Sequence, residues 1–266
     1  MIDLHTHSFC SDGQHSPEEL VRLAKAQGIT HLALTDHDTT AGLQAAQAAA
    51  NEVGIWFLCG IEISTNVKNQ HLLGYGIDIQ SAAMLAACEG FTARRNRRTK
   101  RILDVLAEHD VDLCESEVRA FARGQLGRPH FAAALIAKGY VQSVKEAFAK
   151  YLDDPKIHAT LVENPTAEAA IALVHAAGGK AVWAHPYQTG LKGDALTERL
   201  DAMRAAGLDG VEVYYRTHDA DEQDFLRRYA EKYGMLMTGG SDYHGETVKP
   251  DVTLGVPMRD EMLAMF

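Results

Sequence analysis

The sequence predicts an α/β protein, a largely parallel sheet closed as a barrel and interrupted by a small all-helical insertion. Three observations lead there. Short apolar runs alternate with amphipathic stretches of helical period in both ends of the chain, as repeated strand–helix units do. Side chains that bind metals recur at or just beyond the C-terminal ends of those runs, the rim on which barrel enzymes assemble their sites. No glycine-rich nucleotide fingerprint follows any strand, which disfavours an open dinucleotide-binding sheet.

In chain order, a strand over residues 2–7 ends in His5-Thr6-His7. The helix over 17–27 has Ser16 as N-cap, Pro17 at its first position and Glu19 to complete a capping box, and it stops at Gly28. A strand over 31–36 runs into Asp36-His37, and a helix over 40–53 ends at Gly54. Strands over 55–64 and 71–77 carry Glu62 and His71. Helical patterns then follow one another over 89–108, 115–122, 129–138 and 143–151 without a convincing strand. The alternation resumes with a helix over 166–177, a strand over 180–185, a helix over 194–206, a strand over 208–214, a helix over 219–233 and a strand over 235–241. Residues 1–81 and 165–266 are therefore expected to form the barrel, with 82–164 as a helical insertion placed as a lid over its mouth.

A chain of 266 residues suits one such barrel with one insertion. Its formal charge, 26 − 36 = −10, argues against broad adhesion to nucleic acid or an anionic membrane. An anionic substrate stays open, because bound divalent cations dominate a local field. Cys10, Cys59, Cys88 and Cys114 show no CxxC spacing and read as free thiols of a reducing compartment. The first strand leaves no room for a signal peptide and no apolar run reaches the length of a membrane span, so a cytoplasmic location is expected.

The chemistry rests on nine side chains, six imidazoles and three carboxylates: His5, His7, Asp12, His37, Glu62, His71, His185, Asp242 and His244. His5 and His7 alternate on a strand and share a face, as do Asp242 and His244. Asp12 lies on the turn Ser11-Asp12-Gly13, where an Asp otherwise serves only its backbone. Glu62 stands inside the apolar run 59–63, where an unpaired charge is costly; an arginine partner, an outward position or a pair of cations would each relieve it. Each signal alone is modest, and a surface histidine or a solvated strand end would explain any one of them. Their joint recurrence at one end of successive strands points to a polynuclear metal site.

The motifs Asp3-Leu4-His5-Thr6-His7, Ser11-Asp12-Gly13, Thr35-Asp36-His37-Asp38, Gly60-Ile61-Glu62, Ala184-His185-Pro186 and Gly240-Ser241-Asp242-Tyr243-His244 resemble the PHP family, the polymerase and histidinol phosphatase metal-dependent phosphoesterases. Their order and spacing cover nearly the whole chain. The resemblance implies a distorted (β/α)7 barrel holding two or three divalent cations. One metal would take His5, His7, Glu62 and Asp242, a second Glu62, His71 and His185, and a third Asp12, His37 and His244. Nitrogen and oxygen donors without thiolate suit manganese, zinc or iron, and by family analogy manganese is the expected working metal. The helical insertion is similar to that of the TrpH-like subgroup, which includes nucleoside 3′,5′-bisphosphate phosphatases and a short-RNA 5′ exonuclease.

The insertion holds six basic residues within 94–101. Most such runs are a solvated face, but Arg95 and Arg98 continue the apolar stripe of Ile102, Val105 and Leu106 and are expected to lean toward the barrel mouth. Gly127-Arg128-Pro129-His130 opens a further helix, and its free N–H groups, the Arg128 fork and an imidazole would make a phosphate pocket. Lys249 is a further candidate cation. Relatives often carry Gly-Arg after Ala-His-Pro, whereas Tyr187-Gln188 stand here, with Lys192 or Arg216 as candidate replacements for the lost charge.

These residues make a metal-dependent phosphoesterase the expectation. Bound cations would supply a hydroxide for attack on phosphorus, Arg95, Arg98 and Arg128 would bind phosphate, and His130 would polarise it or protonate the leaving oxygen. Phosphate monoesters of small nucleotides, such as nucleoside 3′,5′-bisphosphates, are the favoured substrates, with short RNA ends as a further partner and no long nucleic acid. Alternatives are a cyclic-phosphate phosphodiesterase or a histidinol-phosphate-type phosphatase acting on a small sugar or alcohol phosphate, an amidohydrolase-like enzyme, and a metal-stabilised binding module. His15, His31, His109, His158, His175 and His218 read as surface or packing residues.

Overall fold

The computed structural model describes residues 1–258. Seven strands form one sheet in sequence order: β1 (Ile2–Asp3), β2 (His31–Leu34), β3 (Trp56–Ser64), β4 (His71–Tyr75), β5 (Lys180–Ala184), β6 (Gly210–Tyr215) and β7 (Leu236–Gly240). The regular ladder of β1 is shorter than the strand expected over 2–7. Beyond it the chain runs beside the segment after β7, with Leu4 N–H donating to Gly239 O (3.1 Å), Asp242 N–H to His5 O (2.8 Å) and His7 N–H to Tyr243 O (2.9 Å). These bonds nearly close the barrel. They need Gly240, since a Cβ there would lie 2.3 Å from that of His5.

One strand is the exception within the largely parallel sheet that the sequence predicts. β4 is antiparallel to both β3 and β5, while the other neighbouring pairs are parallel. Only residues 65–70 join β3 to β4, and a parallel crossover needs a dozen or more, so the chain turns back as a hairpin. The reversal brings the beginning of β4 to the rim where the other strands end, with His71 opposite Ser64 and Ala184.

Helices α1 (Pro17–Ala26), α2 (Leu43–Val53), α8 (Ala167–Ala176), α9 (Gly193–Ala205) and α10 (Ala220–Tyr233) accompany the barrel strands, and α3 (Ala82–Glu108), α4 (Glu115–Arg119), α5 (Arg128–Ala137), α6 (Val144–Ala147) and α7 (Pro155–His158) occupy the interrupted region. Ser16 and Glu19 form the expected capping box of α1. The helix expected over 143–151 is instead α6 followed by a π-helical turn, Phe148–Leu152. α7 and the 3-10 turn Ala159–Glu163 are too short to show a period and were not expected.

Ile2, Leu4, Leu73, Tyr75 and Val182 fill the barrel interior. A larger core lies between barrel wall and helices, and a further one is built by insertion residues such as Ile102, Leu106, Phe131, Leu135 and Leu152. α3 belongs to two of these cores. It starts at Ala82, earlier than expected, because Ser81 caps it. Met84 and Phe91 enter the large core, and Ile102, Val105 and Leu106 the core of the insertion. The arginines of 94–101 lie between these two anchorages.

Candidate metal centre

All nine predicted donors meet at the rim, with Glu62 at their middle. Its Oε2 lies 3.2 Å from His5 Nε2, 3.2 Å from His7 Nε2 and 3.1 Å from His37 Nδ1. Its Oε1 lies 2.7 Å from His71 Nδ1 and 3.0 Å from His185 Nε2. Asp242 Oδ1 stands 3.3 Å from His7 Nε2 and 3.3 Å from His244 Nδ1, and His244 Nε2 is 3.3 Å from Asp12 Oδ1. Four overlapping groups have donor atoms all within 4.8 Å of one another: His7, Asp12, His37 and His244; His5, Glu62 and His185; His5, His7 and Asp242; His37, Glu62 and His71. The division into three sets implied by the resemblance is thus blurred, because His7 joins the third set and His5 reaches the second.

The donor set fits divalent cations on a geometric ground. His5 Nε2, His7 Nε2, Asp12 Oδ1, His37 Nδ1 and Glu62 Oε2 are buried and make no hydrogen bond, although several approach one another closely. Buried polar atoms are rarely left in that condition. Close, misaligned nitrogens and oxygens of this kind could hold a shared cation. Burial alone would raise the Glu62 carboxyl, but the surrounding His37, His5 and His71 outweigh it and hold it well below the usual range. Burial lowers His7, yet Asp242 and Glu62 raise it to about 9. His5 is raised as well, whereas burial lowers His37 and His244, so only part of the cluster favours protonation, and cation binding there must displace those protons.

Further residues hold these donors in place. Glu212 on β6 is fully buried, with Oε1 3.0 Å from His5 Nδ1 and Oε2 accepting the His185 N–H at 2.7 Å. It turns His5 so that Nε2 faces the cluster, the role of a carboxylate behind a metal-ligating histidine. Sequence reasoning missed it, although a carboxylate between Val211 and Val213 in an apolar strand is the same signal that marked Glu62. Asp36 accepts from Ser8 N–H (2.8 Å), Ser8 Oγ (2.6 Å) and Ser11 Oγ (2.6 Å), which fixes the loop carrying Asp12. Asp38, His185 and Asp242 adopt left-handed backbone with φ of 57°, 32° and 55°. Such conformations cost non-glycine residues about 1–3 kcal/mol each and tend to gather at functional sites.

A cleft of about 170 Å³ opens over the cluster, and Arg95, Arg98, Arg128 and Lys249 line it together with all the donors but the fully buried His5 and His7. Arg95 is paired, its Nη2 and Nε lying 2.7 and 2.9 Å from Asp38 Oδ2. Arg128 stacks on Phe148, 5.2 Å from the ring centre, and its Nη1 is 3.3 Å from Asp153 Oδ1. Lys249 Nζ is 2.6 Å from Asp242 Oδ2. Arg98 has no carboxylate within salt-bridge distance among the described residues, and its Nε is buried without a partner. Burial, reinforced by Arg128 and Arg95, pushes its pKa down to about 9, so it remains a cation at neutral pH.

His130 is not brought to this cleft. It is the third residue of α5, its Nδ1 accepts the Gly127 N–H at 2.9 Å, and its ring faces a neighbouring cavity shared with Phe9, Phe121 and Ile136. The motif placed it correctly at a helix start, but capping directs the ring away from the mouth. Gln188 does line the cleft and donates to Tyr215 OH, which in turn donates to Asp242 Oδ2 at 2.9 Å. Lys192 is 75% exposed beside Glu222, and neither it nor the exposed Arg216 lines the cleft. Buried His218 packs against Tyr187 and Tyr215, with Nδ1 3.0 Å from Val213 O.

Comparison with known proteins agrees with this geometry. The PHP domain matches residues 3–249. A 5′-3′ exoribonuclease of Haemophilus influenzae is 37% identical over 91% of this chain and 89% of its own length. A 3′,5′-nucleoside bisphosphate phosphatase of Chromobacterium violaceum is 35% identical over 91% of this chain and 87% of its own. A crystal structure from Bifidobacterium adolescentis, assigned as a metal-dependent phosphoesterase, superposes with a TM-score of 0.86 at 33% identity, covering 99% of this chain and 94% of that one. The chain belongs to the PHP family, and its class is that of the metal-dependent phosphoester hydrolases.

Proposed function

We propose that the protein hydrolyses terminal phosphate monoesters of small nucleotides, with nucleoside 3′,5′-bisphosphates as the favoured class, using two or three divalent cations of which manganese is the working choice. The observation that carries this is Arg98, a buried guanidinium without a carboxylate partner in the cleft that seven of the nine donors line. An uncompensated cation facing a metal cluster suits an anionic substrate better than a neutral amide. Bound cations would supply Lewis-acid activation of water and neutralise phosphoryl oxygens. His5, His7, Glu62 and Asp242 would hold one cation, Glu62, His71 and His185 a second, and Asp12, His37 and His244 a third.

The chain's own groups would do the rest. Arg98 binds the phosphoryl charge, and Arg128, stiffened by Phe148, supplies a second fork. Arg95 is held by Asp38 at a fixed position on the rim. Lys249 offsets the charge of Asp242. A nucleotide with two phosphates can engage the cluster and the arginine face together, whereas a monophosphate engages one of them. Residues 82–164 serve as the substrate-binding insertion in this reading. The relatives named as a bisphosphate phosphatase and an exoribonuclease support a substrate with nucleotide phosphates.

The test is phosphate release by manganese-loaded protein across adenosine 3′,5′-bisphosphate, adenosine 3′- and 5′-monophosphates, a ribose cyclic phosphate, histidinol phosphate and an amide panel. The bisphosphate should give a kcat/KM at least tenfold above either monophosphate. Equal or better turnover of the cyclic or histidinol phosphate would remove the nucleotide assignment, and hydrolysis of amides alone would remove the phosphoester one.

A further inference from the structure

The basic run of α3 reaches beyond the metal cleft, which only its Arg95 and Arg98 line. The run also borders a second cavity of about 180 Å³ whose charged lining is Arg94, Arg95, Arg97, Arg98, Arg101, Asp38 and Glu163. Five guanidinium groups thus face two carboxylates. Asp38 is taken up by Arg95 and Glu163 by Arg97, at 2.7 Å each. Arg94, Arg98 and Arg101 have no carboxylate within salt-bridge distance among the described residues. The Nε atoms of Arg94 and Arg98 are buried with no hydrogen-bond partner.

A solvated basic face need not enclose a cavity or gather three unpaired guanidinium groups around it, as this one does. Here α3 is anchored at both ends in separate cores, so its arginines cannot swing away together. Arg94 is further held over the Phe91 ring at 4.7 Å. Residues 160–164 close the opposite side, where Thr160 and Asn164 add neutral polar groups. Buried N–H donors without acceptors cost free energy that an incoming anion would recover. Burial first, and then Arg128 and Arg95, push the Arg98 guanidinium down to about 9.

We propose that this cavity is a second anion site, distinct from the metal cleft and adjoining it at Ser64, Arg95 and Arg98, and that it takes a phosphoryl group on Arg94, Arg98 and Arg101. Forked N–H donors are matched to phosphoryl oxygens, and three unpaired cations suit an anion of more than one charge. The phosphoryl group has two possible sources, a backbone phosphate of a nucleotide chain whose end lies in the metal cleft, or free inorganic phosphate. The inference does not require that the cleft hydrolyse anything, so its test is a binding measurement.

The double variant Arg94→Gln/Arg101→Gln removes two charges without touching any residue that lines the metal cleft, and Arg94→Lys/Arg101→Lys restores the charge without the fork. Manganese-loaded protein is titrated with inorganic phosphate by calorimetry, and with a fluorescent trinucleotide bearing a 5′-phosphate by anisotropy at several salt concentrations. Metal content and melting temperature report whether the variants remain intact. Two phosphate sites are expected in the parent and one in the Gln variant. If the trinucleotide also weakens about tenfold, and its log–log salt slope falls by about 1.4 for two cations on a single strand, the source is a nucleotide chain. Loss of the second phosphate site with trinucleotide binding unchanged makes the ligand free phosphate. A parent with one phosphate site and a trinucleotide affinity untouched by the Gln substitutions overturns the proposal.

Discussion

On the barrel side of the cleft the charged groups are short, deeply buried and held by further bonds. His5 has Glu212 behind it, and the loop carrying Asp12 is pinned by Asp36. On the insertion side the cations are long side chains on α3 and α5 whose compensation differs residue by residue. Arg95 has a full partner, Arg128 a weaker one and Arg98 none. The difference separates what each wall can specify. Rigid donors at strand ends fix a metal geometry and with it a reaction class, whereas arginines of graded neutralisation set which anion is held and how firmly.

That contrast can be broken by substitution, beginning with the group whose loss should matter most. Glu62→Gln removes the carboxylate that touches five imidazoles, so metal content should fall and turnover should drop by more than the roughly 10–100-fold typical of an outer partner. A variant with normal metal content and rate would show that Glu62 is not the hub. Glu212→Gln should cost about 10–100-fold in metal affinity by loosening His5; an unchanged metal titration would mean that the strand alone fixes the ring. Crossing to the insertion, Arg98→Ala should leave metal content intact and raise KM about 10- to 100-fold, the scale of one hydrogen-bonded charge. Loss of metal instead would make Arg98 part of the other wall. Arg128→Ala should have a smaller effect of the same kind, because Asp153 already neutralises part of its charge; identical kinetics would exclude it from phosphate binding. Exposed Lys192→Ala should change kcat/KM less than twofold and stability by no more than about 0.5 kcal/mol. A large effect there, read by the same assays, would show that the cleft extends farther than its lining suggests.

The barrel wall was far more legible in the sequence than the insertion. Short side chains at strand ends inherit their direction from the backbone, so His5 and His7, or Asp242 and His244, announce a shared face by alternation. Glu62 was visible because a charge in an apolar strand demands a reason, and Glu212 carried the same mark. The direction of β4 was harder to see, since alternation looks the same in parallel and antiparallel strands; only the short connection over 65–70 encoded it. In the insertion, helical spacing put Arg95 and Arg98 on the right side of α3 but could not tell which one Asp38 would neutralise, because that depends on a partner 57 residues away. His130 shows a further limit. Its position at a helix start was legible, yet the ring's direction was decided by the Gly127 N–H that it caps.

The turn that reverses β4 also bears on how the site comes into being during folding. Glu62 and His71 are nine residues apart on one hairpin, so a short loop closure brings them together. The seam between the chain ends is different, since Asp3 and Ser241, 238 residues apart, must meet before His5 and His7 can face Asp242. Loop-closure entropy growing as (3/2)RT ln n makes that second event costlier by about 3 kcal/mol. One half of the donor set can therefore form locally, while the other half exists only once the barrel has closed, which ties a complete metal centre to a completed fold.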